Sequence, residues 1–191
     1  MMKFLKLGKG PVGVGCGHLY GMPAKEFKAG ETTYADMAEI GYITEDGATF
    51  RRSGESTPIT TANYGQIASF VSGYETEFET STISLTKENM TLYTTGSETV
   101  DNEDGTYTIY GSEEDAPANL ALCFRGEDKE GTKFELYMPN AVWVPELEMV
   151  FDAENPVALN MTFTCCNTTL GNGKTGSYYI ITNLGVDSAA E

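Results

Sequence analysis

The sequence contains little of what catalytic and nucleic-acid-binding proteins depend on. Its 191 residues include one histidine, His18, and 12 Lys and Arg against 28 Asp and Glu. The resulting net charge of −16 argues against a groove that grips DNA or an anionic membrane, because both need clustered cations. A lone histidine in a glycine-rich run leaves almost nothing for a His-based metal site or hydrolase, and we interpret it as a loop residue without chemistry.

Cysteine pairs and long apolar runs are also missing. The four cysteines form no CxxC pair and no spacing typical of a zinc site or a disulfide framework: Cys16, Cys123, Cys165 and Cys166. We predict that they are reduced and largely buried, which fits a cytoplasmic origin. No segment approaches the ~20 apolar residues of a membrane span. Met1 to Leu7 lack the apolar run of a signal peptide, so standard secretion is not expected.

What the chain does contain indicates one globular domain with an uneven charge. Hydrophobic residues make up 40% and there are 11 Tyr and 9 Phe, a composition that can form a core. Residues 1–30 carry five lysines and one glutamate, a net of +4, which leaves 7 basic and 27 acidic groups, a net of −20, in residues 31–191. We divide the domain into an extended basic N-terminal arm (1–34), a β-sandwich body (35–185) and a short tail (186–191).

Glycine and turn signals organise the first third of the chain. Seven glycines and two prolines in residues 8–30 predict an extended or looping arm without a regular strand. Thr33 to Ile40 is compatible with a short helical turn. Gly41 to Phe50 predicts a β-hairpin in which Asp46-Gly47 supplies the turn.

The middle of the chain has the most regular pattern. Thr57 to Leu85 is rich in strand formers, and its last stretch alternates strictly, with one face formed by Tyr74, Thr76, Phe78, Thr80 and Thr82. The opposite face carries Glu75, Glu77 and Glu79, spaced about 7 Å apart by two residues of strand rise. Lys87 to Thr95 then predicts a short helix, with Thr86 as the N-cap and Gly96 as the C-terminal glycine.

The rest of the sequence predicts short strands joined by polar turns. Ser97 to Asp115 has seven acidic and no basic residues and predicts a solvated loop or hairpin with a turn at Asp104-Gly105. The expected strands that follow are 119–125, 132–138 with Phe134, Leu136 and Met138 on one face, 141–144, 147–151, 157–164 and 177–182. This succession indicates an antiparallel β-sandwich or barrel-forming sheet, flanked by the one short helix.

Strings that match chemical motifs lack the required context. Gly8 to Gly13 fits GxGxxG, but no βαβ unit surrounds it, and Gly173-Lys174-Thr175 is interpreted as a glycine-rich turn. Residues 101–105 do not keep the ligand alternation of an EF-hand calcium loop. Nothing places two carboxylates across a cleft. We therefore expect no enzyme activity, no cofactor and no metal, and a structural or binding role.

Three stretches carry a resemblance to a known family. Ala38 to Phe50, Tyr137 to Val142, and Met161 to Cys165 after an acidic turn at 152–154 are similar to segments of the major tail tube proteins of long, flexible-tailed bacteriophages. The strand-then-helix passage from Glu75 to Gly96 also fits that family. Together these stretches span most of residues 35–182.

This resemblance implies a structural virion protein. Such subunits form hexameric rings whose sheets combine into a β-barrel around a channel, and the rings stack into a tube that conducts the phage DNA into the host without binding it tightly. The implied partners are further copies of the chain, the tape-measure protein, the tail terminator and distal tail proteins, with no membrane. The implied location is the virion tail, assembled in the bacterial host cytoplasm.

Two sets of residues become candidates for contacts in such a tube. Glu75, Glu77 and Glu79 would line the lumen, where like charge keeps DNA from sticking; an ordinary solvent face is the alternative. The inter-ring candidates are Lys3, Lys6 and Lys9, which could dock on an acidic neighbour, and Glu45, Asp46 and Gly47. For these two groups the alternatives are a frayed terminus and a plain surface turn.

Two other functions remain open from sequence. One is a related tube or ring protein of a contractile tail or secretion system, which would also have to bind a sheath. The other is a β-sandwich carbohydrate-binding module that uses Trp143 and exposed tyrosines as a platform.

Overall fold

The computed structural model describes residues 17–41, 43–87, 89–90, 98–110, 119–127, 133–144 and 157–182. Besides helical residues at 87, 89 and 90, the described residues hold two 3₁₀ turns, Ala24–Glu26 and Tyr34–Asp36, and twelve strands. The strands are β1 (His18–Pro23), β2 (Ala38–Gly41), β3 (Ile43–Thr61), β4 (Gly65–Thr82), β5 (Glu98–Asp101), β6 (Tyr107–Tyr110), β7 (Asn119–Glu127), β8 (Lys133–Trp143), β9 (Leu159–Cys165), β10 (Thr168–Thr169), β11 (Thr175–Gly176) and β12 (Tyr179–Thr182).

Eight of these strands form one antiparallel sheet. Its order is β2-β1-β7-β8-β9-β4-β3, and β12 pairs with the part of β8 that β9 leaves free. The sheet folds over on itself, because Phe78 of β4 packs on Phe124 of β7 (ring centres 6.0 Å apart) although β8 and β9 separate their strands. The predicted mainly β, antiparallel fold is confirmed, and in the described residues the sheet is open and not a closed barrel.

The core lies between the two halves of this folded sheet. Strand β9 alternates buried and more exposed positions, and Trp143 packs against Phe163 with ring centres 5.9 Å apart. Leu136 and Met138 are buried in this core and Phe134 packs against it, as the alternation of that strand predicts. The largest core side chains are Trp143, Phe78, Phe163, Leu19, Leu122, Leu136, Met138, Leu159 and Met161.

A second, smaller cluster lies on the other face of β7 and β8, around Cys123 and Tyr137. The Tyr34 N–H donates to the Tyr137 hydroxyl (3.1 Å), which donates to Glu135 Oε2 (2.9 Å), so the segment before β2 is fixed to the sheet. Burial raises the pKa of Cys123 to about 12. The three described cysteines are free, and the predicted burial is confirmed for Cys123 and Cys165, whereas Cys166 is half-buried; Cys16 lies outside the described residues.

The glycine-rich segment contains a strand that the sequence does not predict. His18–Pro23 forms β1, paired with β2 on one side and β7 on the other, so the expectation of no regular strand is wrong there. The glycines do not break the strand; they let neighbouring residues of the sheet pack closely against it. A Cβ on Gly21 would lie 2.8 Å from Ile40 Cδ1, and one on Gly17 would clash with the Arg125 carbonyl. Residues 1–16 of the predicted arm lie outside the described residues.

The predicted hairpin at Gly41 to Phe50 is also wrong. Gly41 ends β2, and from Ile43 onward the chain continues in a single strand, β3, which pairs with β4. Between the pairs Ile43–Thr82 and Ala48–Thr80, β3 advances five residues while β4 advances two, so the extra residues form a bulge. Gly47 lies in this bulge with φ of 76°. The turn signal of Asp46-Gly47 is used to bend a strand, not to reverse the chain.

Other local predictions hold where the structure describes them. The Asn89 N–H donates to Thr86 Oγ1 (3.2 Å), the predicted cap, and the Met90 N–H donates to the Thr86 carbonyl. Residues 88 and 91–95 of the expected helix lie outside the described part. The acidic segment forms the β5–β6 hairpin with Gly105 at φ of 84°. Gly173 lies in the β10–β11 turn. The expected strand at 147–151 falls outside the described residues.

Candidate assembly surfaces

The row of glutamates predicted on β4 lies on the outer face of the sheet. Thr76, Phe78, Thr80 and Thr82 are buried, and Glu75, Glu77 and Glu79 project from the opposite side. The predicted alternation is therefore correct over this stretch. Tyr74 is 56% exposed although Thr76 is buried, because Tyr74 lies where the ribbon leaves the packed body.

The surroundings of the glutamates are polar. Thr164 and Thr162 of β9 pair with Glu77 and Glu79, and Arg51 of β3 pairs with Glu77. The Arg51 Nη1 atom is 3.6 Å from Glu77 Oε2 and 3.9 Å from Glu79 Oε1. Both contacts are solvent-accessible, and exposed ion pairs of this kind contribute little to stability. One cation beside three carboxylates leaves this face acidic.

One inter-ring candidate lies next to this acidic row. Gly47 and Glu79 both line a shallow depression of about 260 Å³ on the outer face, and the Thr80 hydroxyl donates to the Gly47 carbonyl (3.2 Å). For Glu45 and Asp46 the structure describes the backbone within β3 and not the side chains. Lys3, Lys6 and Lys9 lie outside the described residues. The structure thus places Glu79, a lumen candidate, beside Gly47, an inter-ring candidate.

The sequence analysis misses the most prominent surface, a long ribbon formed by the distal halves of β3 and β4. We call residues 56–74 the arm, which is distinct from the basic N-terminal segment of residues 1–34. Its strands pair from Ser56–Val71 to Thr61–Gly65, a length of about 17–20 Å at about 3.3 Å per residue. Every described side chain from Arg51 to Glu75 is exposed, apart from half-buried Ile59. The arm therefore extends beyond the packed body.

The arm is uncharged and carries several large hydrophobic side chains although it is exposed. No charged residue occurs from Ser56 to Tyr74, in a chain with 40 charged residues (12 basic plus 28 acidic). Its large exposed hydrophobic side chains are Tyr64 (83%), Ile67 (58%), Phe70 (65%), Val71 (50%) and Tyr74 (56%). This absence of charge over 19 residues is visible in the sequence, but strand propensity alone does not reveal it.

The edge of the sheet is also left open at the arm. Strand β3 is the last strand of the sheet, and no described strand pairs with its outer edge. Natural proteins protect exposed edges with charges, prolines or bulges. Along the arm, Pro58 lies on this edge and a bulge at Ile67 of β4 distorts the ribbon, but no charged side chain protects the edge.

The structure removes the main support for a carbohydrate platform. Trp143 is 1% exposed and belongs to the core, so its predicted role in that alternative is wrong. A surface groove of about 560 Å³ has no aromatic side chain among its described lining residues, which are Pro23, Ala24, Lys25, Asn119, Pro139, Asn140 and Thr168. Stacking of a sugar ring in this groove has no aromatic partner there.

Within the described ranges, no three His, Cys, Asp or Glu side chains are grouped closely enough to hold a metal ion. His18 begins β1, where its Nδ1 atom lies 2.6 Å from Glu39 Oε1 in an exposed pair. The loop prediction for this histidine is wrong. In the described part of the chain, no helix has the length and hydrophobicity needed to cross a membrane.

Comparison with known proteins gives a distant structural similarity. No protein-family model matches the sequence, and no curated protein matches it. A chain in the cryo-EM structure of the anti-feeding prophage (AFP) baseplate, 6-fold symmetrised, is similar in fold with a TM-score of 0.48 and 7% identity, over 90% of this chain and 95% of that one. A likeness this distant does not assign a function.

Proposed function

We propose that this protein is a structural subunit of a phage-type tail tube, which forms hexameric rings that stack around a DNA-conducting lumen. The observation that carries the proposal is the uncharged, uncovered arm, which continues from an acidic sheet face and has an open edge. The resemblance of several stretches within residues 35–182 to tail tube proteins suggests the particular class. The proposed role is structural and not catalytic.

A second copy of the chain is the partner that the arm fits best. An isolated two-stranded ribbon is marginally stable in water, and apolar side chains on a ribbon gain stability when a neighbour covers them. Two bodies with a net charge of −20 each repel one another, and the repulsion is least where the contact surface has no charge. The arm is such a surface, and its open β3 edge can extend a sheet between subunits.

The acidic face suits the lumen of such a tube. The outer face of the sheet carries Glu75, Glu77 and Glu79 at a spacing of about 7 Å along β4. The same strand leads directly from these glutamates into the arm. Repeated around a ring, these carboxylates would repel the phosphates of DNA in transit. The same acidity that opposes a DNA-binding groove thus favours passage without adhesion.

Replacing the three glutamates together by glutamine tests this assignment. The triple variant is expected to assemble as the parent does, because the side chains are solvent-accessible and glutamine keeps their size. Its genome release, measured as DNA ejection from particles that carry the variant, should be slower because phosphate repulsion is lost. Ejection at the parental rate would remove the glutamates from the lumen.

The basic N-terminus offers a second test. Lys3, Lys6 and Lys9 could dock on the acidic body of the adjacent ring in a heterologous, propagating contact. Deleting residues 1–10 is therefore expected to leave single rings but to prevent stacking into long tubes, as seen by electron microscopy. Full-length tubes from the deletion protein would contradict this docking role.

The two other functions predict different solution behaviour. A β-sandwich binding module should remain monomeric in gel filtration and bind a saccharide array, whereas a tube subunit should self-associate through the arm. A tube protein of a contractile tail or secretion system would self-associate too, but would also bind a sheath protein on its outer surface.

A further inference from the structure

The arm joins the body through a cage of aromatic rings around one cation. The Arg52 guanidinium carbon lies 4.0 Å from the centre of the Tyr74 ring and 5.9 Å from that of Tyr178. Tyr178 meets Phe50 edge-on, with ring centres 4.8 Å apart. Arg52 therefore bridges the root of the arm on β4 and the segment that leads into β12 of the body.

A buried hydrogen bond holds the body side of this junction. The hydroxyls of Thr76 and Ser177 lie 3.0 Å apart, and both residues are buried. Thr76 pairs directly with Arg52 across β3 and β4. The aromatic cage thus lies next to a buried hydrogen bond, and Thr76 is the last buried residue of β4 before the exposed arm.

Just beyond the cage, both strands have features that let the ribbon bend. The register shifts between Ser53 and Glu55, Gly54 lies in that shift, and Gly73 has φ of 62°. A Cβ on Gly54 would come within 2.9 Å of Tyr74 Cδ1, so only glycine lets the Tyr74 ring lie this close to β3. A bulged, glycine-containing junction increases local bending and twist. The arm therefore needs a contact that selects one direction.

We propose that Arg52 is a positioning residue that fixes the direction of the arm relative to the body by stacking against Tyr74 and Tyr178. A planar guanidinium between aromatic rings combines cation–π attraction with stacking, which a flexible ammonium does not reproduce. If the arm is the subunit contact, a step that rests on the proposed function, this direction sets the angle between neighbouring subunits. A closed ring requires that angle to be constant, because a heterologous contact closes only at one rotation.

The experiment measures arm direction in dilute, monomeric full-length protein, so that it does not depend on assembly. Spin labels are attached to cysteines introduced at the exposed positions Thr60 on the arm and Glu26 on the body, after Cys16 and Cys166 are replaced by serine. Double electron–electron resonance then gives the distance distribution between them. Arg52→Ala is compared with Arg51→Ala, a neighbouring arginine whose partners Glu77 and Glu79 lie on the opposite face.

Loss of the cage is expected to broaden the distribution about twofold for Arg52→Ala and leave it unchanged for Arg51→Ala. Arg52→Lys should give an intermediate width, since it keeps the charge and loses planar stacking. Tyr74→Leu should broaden it as well, which tests the cage even if Arg52→Ala folds poorly by circular dichroism. A distribution as narrow as the parent's in both Arg52→Ala and Tyr74→Leu would overturn the proposal. Failure of the parent protein to form rings would instead count against the proposed function alone.

Discussion

Replacing Ile67 and Phe70 on the arm by aspartate is expected to weaken self-association strongly while the monomer stays folded. Both side chains are solvent-exposed in the single chain, 58% and 65%, so the monomer loses little when they change. In an arm-mediated contact the new carboxylates would be desolvated without a partner and would add to the repulsion between acidic bodies. We expect association to weaken at least about 100-fold, measured by sedimentation velocity across a concentration series.

The β5–β6 hairpin supplies a matched control for this double variant. Tyr107 and Tyr110 are also exposed, 37% and 58%, and their replacement by aspartate adds the same charge away from the arm. This control is expected to associate as the parent does. Parental association of the Ile67→Asp/Phe70→Asp protein would show that the arm is not the contact.

Trp143→Ala is expected to be the most destabilising single substitution in the core. The indole is 1% exposed and packs on Phe163 in the middle of the folded sheet. Truncating a buried tryptophan removes its transfer free energy and leaves a cavity, a loss of about 3–5 kcal/mol. Because small domains have a total stability of about 5–15 kcal/mol, the variant should melt far below the parent in thermal or urea denaturation.

Tyr110→Ala serves as the reference for that measurement, since it also removes an aromatic ring but from an exposed position. Its unfolding free energy is expected to stay within about 0.5 kcal/mol of the parent's. A Trp143→Ala protein that unfolds at the same urea concentration as Tyr110→Ala would mean that Trp143 does not lie in the core.

The parts of the fold that sequence predicts are those governed by local pattern. The alternation from Glu75 to Thr82 gives the correct faces, because side chains in a strand alternate whatever the strand pairs with. The turn at Asp104-Gly105 and the cap at Thr86 are likewise decided by neighbouring residues. In each case the relevant interactions span only a few positions of the chain.

The mispredicted parts depend on distant partners. Asp46-Gly47 has the local chemistry of a hairpin turn, but β4, some 30 residues further along, pairs with both sides of it and makes it a bulge. Gly21 reads as a strand breaker until its neighbour Ile40 is known, and then it is the residue that allows close packing. Local propensity cannot contain these contacts, since they are made by folding.

The candidate surfaces divide in the same way. The glutamate row is correctly placed on an outward face, whereas the burial of Trp143 could not be read from its type or its neighbours. The arm is missed because its apolar residues do not alternate cleanly across two bulges. Its lack of charge is visible in the sequence, but that absence is informative only once the residues are known to be exposed. The chain has a net charge of +4 in residues 1–30 and −20 in residues 31–191, and the uncharged arm interrupts the acidic part.

Negative-stain electron microscopy of the purified protein at high concentration tests the central claim most directly. The account predicts rings with six-fold symmetry, or tubes made of stacked rings, that surround an open lumen. It also predicts that the Ile67→Asp/Phe70→Asp protein gives neither under the same conditions. Monodisperse single particles of monomer size at every concentration, for parent and variant alike, would contradict it.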